Sequence, residues 1–168
     1  MKLRKLKISD AENMLEWMHD EDLCKYMYAD FASKSLEDCI KFIQSSTDNS
    51  RDVHFAIADD NDNYMGTVSL KNIQFNEGVA EFGIVVRRCA MGKGYSQFGM
   101  REIIKYGFNE LALKSIVWCV SKLNLRANRF YIKNNYSLID KTVPASIKER
   151  YKDVDNLVWY GINRNEIN

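Results

Sequence analysis

Two glycines near the middle of the chain separate a short apolar run from a long amphipathic segment. The run Val79–Val86 is short and apolar enough for a central strand, and residues 95–111 carry apolar side chains at helical spacing. Gly92-Lys93-Gly94 lies between them. Glycines in such a loop let backbone N–H groups approach an anion and point the N-terminus of the following helix towards it. This order predicts an anion site that suits a pyrophosphate, with a purely structural turn as the alternative.

The loop differs from the two best-known nucleotide-binding motifs. A P-loop requires G-x-x-x-x-G-K-[ST], and the dinucleotide fingerprint requires a third glycine in G-x-G-x-x-G. Neither pattern occurs around the two glycines. The loop therefore indicates a phosphate-binding mode of another kind.

The first third of the chain predicts a strand followed by helices. Alternation over residues 2–8 indicates a strand, and Ser9 with Glu12 three residues later resembles a capping box at the start of a helix. A second helical region is interrupted over residues 28–33 and resumes near Ser35. The interruption predicts a loop near a site.

The later patterns complete an α+β fold with a mixed central sheet. Runs rich in β-forming residues at Val53–Ala58 and residues 64–70 flank a polar turn at residues 59–63 and predict an antiparallel hairpin. Further predicted elements are a turn at 76–78, a strand at 115–120, a helix at Leu125–Lys133, strands at 136–143 and 157–162, and a loop at 145–155. About seven strands and about four helices thus form a single domain over residues 1–168.

Charge and cysteine content exclude several classes of function. Twenty-four Lys and Arg residues against 23 Asp and Glu give a net charge of +1, so no overall field attracts nucleic acid or an anionic membrane. No stretch approaches the roughly 20 apolar residues that span a bilayer, and the N-terminus lacks the apolar core of a signal peptide. The four scattered cysteines form no C-x-x-C pair. We therefore expect a cytoplasmic protein without a metal site.

Two segments together resemble the GNAT superfamily of N-acetyltransferases. Residues 85–95, Val-Val-Arg-Arg-Cys-Ala-Met-Gly-Lys-Gly-Tyr, are similar to the family's Arg/Gln-x-x-Gly-x-Gly/Ala motif. Cys89 stands at the Arg/Gln position, and Arg88 comes one position early. Residues 124–136 are similar to Asn-x-x-Ala-x-x-x-Tyr-x-Lys-x-Gly-Phe, with Asn135 in place of the glycine. This replacement is mild, because Asn is the best non-glycine residue for a left-handed helix C-cap.

The resemblance covers the whole chain and implies a GNAT fold. The two segments lie in the family's order, with a helix and a strand between them. The end of the chain, residues 151–162, is similar to that of the ribosomal-protein-acetylating branch and its small-molecule relatives.

The resemblance also implies acetyl-CoA as the cosubstrate. Its pyrophosphate is expected on the amides of the glycine loop, with added charge from Arg87, Arg88 or Lys93. The end of the preceding strand is expected to pair with the pantetheine arm, and Asn124 to contact it, a role compatible with a helix N-cap. The implied cofactor-binding residues are Val85, Val86, Arg87, Arg88, Cys89, Ala90, Met91, Gly92, Lys93, Gly94, Tyr95, Asn124, Ala127 and Tyr131.

Two residues are candidates for acid-base chemistry. The departing thiolate needs a proton, which a phenol can donate, and the resemblance assigns this role to Tyr131; the alternative is an aromatic residue that packs on the sheet. Glu81 interrupts an apolar run and is similar to the acidic residue of the family's Glu-Ile-Gly, which implies a base that takes the amine proton directly or through water. The alternative is an exposed or salt-bridged carboxylate. His19 and His54 cluster neither with each other nor with cysteines and are expected to be structural or surface residues. Cys89 is expected to be a reactive bystander at most, because the family transfers the acetyl group directly.

Three functions remain open from the sequence. The first is acetylation of the primary amine of a small molecule, for example a nucleotide-linked amino sugar. The second is acetylation of protein N-termini, and the third is CoA binding without catalysis. A monomer or a homodimer is expected.

Two segments are expected to wall the acceptor groove. One can hold phosphates and stack a base, and it contains Lys148, Arg150, Tyr151 and Lys152. The other offers Tyr26, Tyr28 and Phe31. The alternative is a solvated charged loop.

Overall fold

The computed structural model describes residues 1–46, 51–139 and 143–166, which fold around one seven-stranded sheet. The strands are β1 Lys2–Lys5, β2 Val53–Ala58, β3 Tyr64–Gln74, β4 Val79–Val86, β5 Ser115–Ser121, β6 Ser137–Leu138 and β7 Leu157–Asn163, in the order β1-β2-β3-β4-β5-β7-β6. The helices are α1 Ala11–Met18, α2 Glu21–Cys24, α3 Leu36–Ser45, α4 Tyr95–Asn109, α5 Leu125–Lys133 and α6 Ala145–Lys148.

The strand directions and helix lengths confirm the predicted fold class. β4 and β5 are parallel, whereas the other neighbouring strands are antiparallel. Four of the described helices, α1, α3, α4 and α5, have eight or more residues. The protein is therefore an α+β fold with a mixed sheet.

Polar turns determine the antiparallel half of the sheet. Between β2 and β3, the Asp59 carboxylate accepts hydrogen bonds from the backbone of Asn61 (3.0 Å) and Asn63 (2.8 Å). Between β3 and β4, Gly78 has a φ of 72°, a conformation that glycine adopts without steric cost. Both predicted turns are confirmed, although β3 extends further than predicted.

Alternation along the strands divides the core between the two faces of the sheet. On one face, Val68 and Leu70 of β3 pack with Ile103 of α4. On the other face, α1 and α3 cover a second cluster that includes Trp17. Because successive side chains of a strand point to opposite faces, Ser69 lies on the α1–α3 face. That face carries polar residues of the candidate active site.

β4 and β5 separate part of the way along the sheet. Their last pair is Glu81 with Val117. Beyond it, β4 remains paired with β3 as far as Val86, and β5 with β7 as far as Ser121. The facing edges therefore diverge and leave a gap in the described part of the sheet.

The chain enters α1 differently from the prediction. The first strand is shorter than expected, and the predicted capping box of Ser9 and Glu12 is wrong, because α1 follows a short 3-10 turn. The Asp10 carboxylate organises this turn by accepting the Lys7 N–H (2.9 Å) and two hydrogen bonds from the Arg4 guanidinium (2.7 and 2.8 Å). A capping pattern alone cannot reveal this pairing, because Arg4 comes from the sheet.

Boundaries late in the chain also differ. α4 ends at Asn109 rather than at residue 111. The predicted strand over residues 136–143 is reduced among the described residues to β6, and residues 140–142 of that prediction lie outside the described residues. The predicted loop over residues 145–155 contains α6, because Ile147 is fully buried against the sheet.

Candidate active site

The glycine loop has a left-handed backbone and open space above it. Gly92 has a φ of 73° and Gly94 a φ of 85°. A Cβ at Gly92 would meet nothing within 4 Å, and one at Gly94 only the end of the Met1 side chain, 3.9 Å away. The backbone conformation, and not packing, therefore requires glycine here. A side chain would fill the space in which an anion can approach the loop.

The start of α4 offers free backbone donors to that space. The Phe98 N–H donates to the Gly94 carbonyl (2.9 Å), the first hydrogen bond of the helix. Among the described residues, no acceptor was found for the amides of Gly92, Gly94, Tyr95, Ser96 and Gln97. The helix N-terminus adds partial positive charge. The loop can thus hold the pyrophosphate of CoA.

The arginines before the loop are paired with acidic residues. Arg87 forms an ion pair with Glu16. Arg88 donates to Asp20 at 2.6 and 2.8 Å, and this contact raises the pKa of the Arg88 guanidinium. Lys93 is exposed and forms no ion pair with a described residue. Of the three predicted cations, Lys93 is therefore the one whose charge is free for a pyrophosphate.

The other residues of the segment can contribute mainly through their backbone. Cys89, at the family's Arg/Gln position, is exposed. Ala90 is buried in the core on the α4 face, while Met91 and Tyr95 are half-buried against it. Their roles in binding stay predictions.

The gap between β4 and β5 leads from the sheet towards this loop. Consecutive residues of a strand direct their N–H groups to opposite edges, so one of Val85 and Val86 faces the gap. Across the gap, the Asn124 side-chain oxygen accepts the Ala127 N–H (3.1 Å) at the start of α5. The N-cap role of Asn124 is therefore confirmed, and its contact with the pantetheine arm stays a prediction.

Tyr131 combines both of its predicted environments. It is 6% exposed and packs against Trp118 and Tyr160, with ring centroids 5.3 and 5.1 Å away. It also lines the main cleft, and burial raises the pKa of its hydroxyl. The end of α5 is closed by Asn135, with a φ of 59°, which confirms the predicted C-cap. The phenol therefore stays protonated, as a proton donor requires.

Glu81 is a buried carboxylate with three donors. Its side chain accepts hydrogen bonds from Asn72 Nδ2 (2.7 Å), from Lys71 Nζ (3.3 Å) and from the Tyr151 hydroxyl. The residue is 3% exposed and lines the cleft. It is thus both salt-bridged, as in the alternative, and positioned beside the cleft, as a base requires.

One cleft of about 1420 Å³ brings Glu81 and Tyr131 together. Two loops close over it: the Lys152 N–H donates to the Tyr28 hydroxyl (3.1 Å), and the rings of Tyr28 and Tyr151 pack edge to face with centroids 5.2 Å apart. The predicted interruption after the first helix is therefore a wall of the cleft. The glycine loop is not part of the lining and lies beyond it.

The second wall contains fewer basic residues than predicted. Arg150 and Tyr151 line the cleft, whereas Lys148 and Lys152 do not, so the expectation for these two lysines is wrong. Their segment is fixed by α6, in which Ile147 is fully buried. Lys148 is the last residue of α6, so its direction follows the helix.

The sheet forms a polar floor under the cleft that no sequence motif predicts. Lys71 and Asn72 contact Glu81, and His54 Nδ1 lies 2.7 Å from Ser69 Oγ, with burial lowering the pKa of His54. Lys71 pairs directly with Glu81 in the sheet. No sequence signal reveals this pair, because the β3–β4 register is irregular next to Lys71.

No group of three or more His, Cys, Asp and Glu side chains within the described residues is arranged to hold a metal ion. A search of the same residues found no helix with the length and apolar character needed to cross a membrane.

Comparisons with known proteins agree with this architecture. Residues 1–137 match the family model of the acetyltransferase (GNAT) domain. Acetyltransferase PseH of Campylobacter jejuni subsp. jejuni serotype O:23/36 (strain 81-176) is 27% identical over 139 residues, 81% of this chain and 82% of that protein. The uncharacterized N-acetyltransferase p20 of Bacillus licheniformis is 30% identical over 117 residues, 68% of this chain and 66% of that protein.

Solved structures share the fold. The spermidine N-acetyltransferase from Vibrio cholerae, in complex with CoA and spermine, superposes with a TM-score of 0.79 at 20% identity, covering 98% of this chain and 95% of that one. A probable acetyltransferase superposes with a TM-score of 0.77, also at 20% identity, covering 98% of this chain and 93% of that one. The family match, the matching fold and the two motifs in their expected order together make this chain a member of the GNAT family, an acetyl-CoA-dependent N-acetyltransferase.

Proposed function

We propose that the enzyme transfers the acetyl group directly to the primary amine of a small anionic molecule, such as a nucleotide-linked amino sugar. The observation that carries this proposal is a set of exposed cationic side chains that line the cleft. Lys25, Lys34 and Arg150 line the cleft, are exposed, and form no ion pair with a described residue. Phosphate or carboxylate oxygens accept charge-assisted hydrogen bonds from such groups.

The acidic residues of the cleft are already engaged within the protein. Asp38 accepts two hydrogen bonds from Ser35, at 2.9 and 2.8 Å. The Asp52 carboxylate accepts the Asn72 N–H (2.7 Å), and the Asp153 carboxylate accepts a hydrogen bond from Asn156 Nδ2 (2.6 Å). The buried Glu81 carboxylate accepts hydrogen bonds from Lys71, Asn72 and Tyr151. Each of these four carboxylates thus already accepts at least one hydrogen bond within the protein.

Aromatic side chains supply surfaces for a flat ligand. Tyr26, Tyr28, Phe31 and Tyr151 line the cleft from two loops. Rings of this kind stack on a nucleobase or on the apolar face of a sugar. Cationic groups beside aromatic rings suit a nucleotide better than they suit a polyamine.

Acetyl-CoA would approach from the opposite end of the cleft. Its pyrophosphate would bind the amides of residues 92–97, and its pantetheine arm would lie in the gap between β4 and β5. Tyr131 would protonate the departing thiolate, and Glu81 would accept the proton that the amine releases. Direct transfer needs no covalent intermediate on the protein.

A polyamine is the second candidate acceptor. The neighbour from Vibrio cholerae is a spermidine N-acetyltransferase whose structure contains spermine, and four acidic residues line the present cleft. A protein N-terminus is a third candidate. A polyamine carries no anionic group that could bind the exposed cations of the cleft.

A panel of amines tests the acceptor class. We expect turnover of acetyl-CoA, measured as free thiol, with nucleotide-linked amino sugars and not with spermidine, spermine, aminoglycosides or Ser-, Ala- or Met-initiated peptides. Selective acetylation of the polyamines or of the peptides would overturn the preference for an anionic acceptor.

Arg150→Ala is expected to raise the KM of an anionic acceptor roughly tenfold while leaving the KM of acetyl-CoA unchanged, because it removes one charge-assisted contact. Lys148→Ala is the matched control, since this residue lies in the same segment but does not line the cleft. Equal effects of the two substitutions, or no effect of Arg150→Ala, would refute a phosphate contact at Arg150.

Glu81→Gln is expected to lower kcat about 10²-fold near neutral pH and less at higher pH. The reason is that an amine deprotonates without help once the pH approaches its own pKa. The pH profile of kcat/KM for wild type and variant measures the difference. A loss that is the same at every pH would indicate a structural role for the carboxylate.

A further inference from the structure

The Glu81 carboxylate is poorly placed to touch an acceptor amine by itself. The residue is 3% exposed, and its oxygens are surrounded by donors from Lys71, Asn72 and Tyr151. An amine in the cleft therefore meets one of these groups before it meets the carboxylate.

Of these three groups, only the Tyr151 hydroxyl can accept a proton from the amine and donate one to Glu81. A lysine ammonium has donors and no acceptor, and the Asn72 amide uses its nitrogen, also a donor, towards Glu81. The Tyr151 hydroxyl donates to Glu81 and still has lone pairs that can accept a hydrogen bond from the cleft.

The Tyr151 ring is held in place from several sides. It packs edge to face on Tyr28, with centroids 5.2 Å apart, and on Trp159, with centroids 5.5 Å apart. Burial raises the pKa of Tyr151, and the Cys119 thiol of β5 lies near enough to this hydroxyl to contribute to the raised pKa. Contacts from a loop and from the sheet thus fix the direction of the hydroxyl.

This hydroxyl lies at the point where the sheet opens. Glu81 belongs to the last pair between β4 and β5, and Cys119 follows that pair on β5. The Tyr151 hydroxyl is therefore hydrogen-bonded to β4, with Cys119 of β5 nearby, at the start of the gap. A thioester carried into the gap would bring its carbonyl, and the attacking amine, towards this hydroxyl.

We propose that the Tyr151 hydroxyl is a catalytic proton relay between the acceptor amine and Glu81. This inference rests on the proposed function, in which the gap holds the thioester arm.

In the proposed step, the amine nitrogen forms a bond to the acetyl carbon and the carbon–sulfur bond of the thioester breaks. The proton leaving the nitrogen goes to the Tyr151 oxygen as the Tyr151 proton goes to Glu81. The thiolate takes its proton from Tyr131. Glu81 afterwards releases its proton to solvent and Tyr131 regains one, so atoms and charges balance over the cycle.

The surroundings favour a concerted transfer over a free phenolate. The Tyr151 hydroxyl donates to Glu81 of β4, which also accepts from Lys71 of β3, and Cys119 of β5 is nearby. Tyr28 of the opposite loop contacts the Tyr151 ring. Burial, together with the nearby Cys119 and Glu81, raises the pKa of Tyr151. The hydroxyl thus stays protonated and can accept a proton only as it gives one up.

The test is a double-mutant cycle with Tyr151→Phe, Glu81→Gln and the double variant, using an acceptor that the amine panel identifies. Tyr151→Phe keeps the ring against Tyr28 and Trp159 and removes only the hydroxyl. Tyr106→Phe, on α4 outside the cleft, is the matched control. The readouts are kcat, the KM for acetyl-CoA and the thermal stabilisation by acetyl-CoA.

We expect each single variant to lose about 10²-fold in kcat and the double variant to lose no more than the larger single loss, because both groups serve one transfer. The KM for acetyl-CoA and the stabilisation by acetyl-CoA should change little. Losses that multiply in the double variant, or a Tyr151→Phe kcat within about twofold of wild type, would overturn the relay. A wild-type enzyme that acetylates no amine of the panel would instead refute the proposed function.

Discussion

Tyr131→Phe is expected to lower kcat about 10²- to 10⁴-fold while acetyl-CoA binding changes little. The substitution removes the proposed proton donor for the thiolate and keeps the ring. The ring accounts for the packing against Trp118 and Tyr160, so the fold should survive. Because the pKa of the Tyr131 hydroxyl is raised by burial, wild-type activity should not fall from ionisation of this group near pH 10.

Steady-state kinetics with a saturating acceptor, together with a thermal scan with acetyl-CoA, measures this effect. Tyr136→Phe is a suitable control, because Tyr136 packs against the same Trp118 but does not line the cleft. Turnover of Tyr131→Phe within about twofold of wild type would remove Tyr131 from the mechanism. An equal loss of turnover in Tyr136→Phe would mean that disturbed packing of the aromatic cluster, and not the loss of a proton donor, causes the effect.

Gly94→Val is expected to abolish the stabilisation by acetyl-CoA. A ligand that binds only the native state stabilises it by about 2.7 kcal/mol at a hundredfold excess over Kd, and the wild type should show this in a thermal scan. Valine at a φ of 85° is strained by about 1–2 kcal/mol and also fills the space over the free amides. The variant should therefore melt lower and show no shift with ligand.

Cys89→Ala is the control for the loop, because it changes the side chain at the family's Arg/Gln position and leaves the backbone amides intact. It should keep the full stabilisation. A shift retained in Gly94→Val, or lost in Cys89→Ala, would mean that side chains of this segment and not its amides bind the pyrophosphate.

Local patterns predicted much of the fold. β2, β4 and α5 have the predicted limits, and the left-handed conformations at the glycine loop and at Asn135 follow from residue type. These features depend on alternation, helical spacing and φ preferences, which involve residues close in sequence. The predicted capping box of Ser9 and Glu12 is wrong. Asp10 organises the turn before α1 instead, and it is held there by Arg4 of β1.

The candidate site was predictable only in part. Tyr131, Glu81 and the glycine loop were named from the motif resemblance, and they lie around a common cleft and the gap that leads from it. The pairing of Arg87 and Arg88 with acids of the first helices was not predicted. The sequence also did not predict that Lys148 lies outside the cleft lining. Its position follows from the neighbouring Ile147, whose burial depends on the sheet that covers it.

The sequence by itself determined the fold class, the family and the backbone of the glycine loop, because each follows from short-range preferences and from the order of two motifs. The tertiary structure alone decided which side chains surround Glu81. Tyr151 is 70 residues from Glu81 along the chain, and Lys71 reaches it through the register of a strand pair. Contacts over such separations depend on how whole elements pack, and no local pattern encodes them. The proton route proposed here therefore depends on an arrangement that only the folded chain creates.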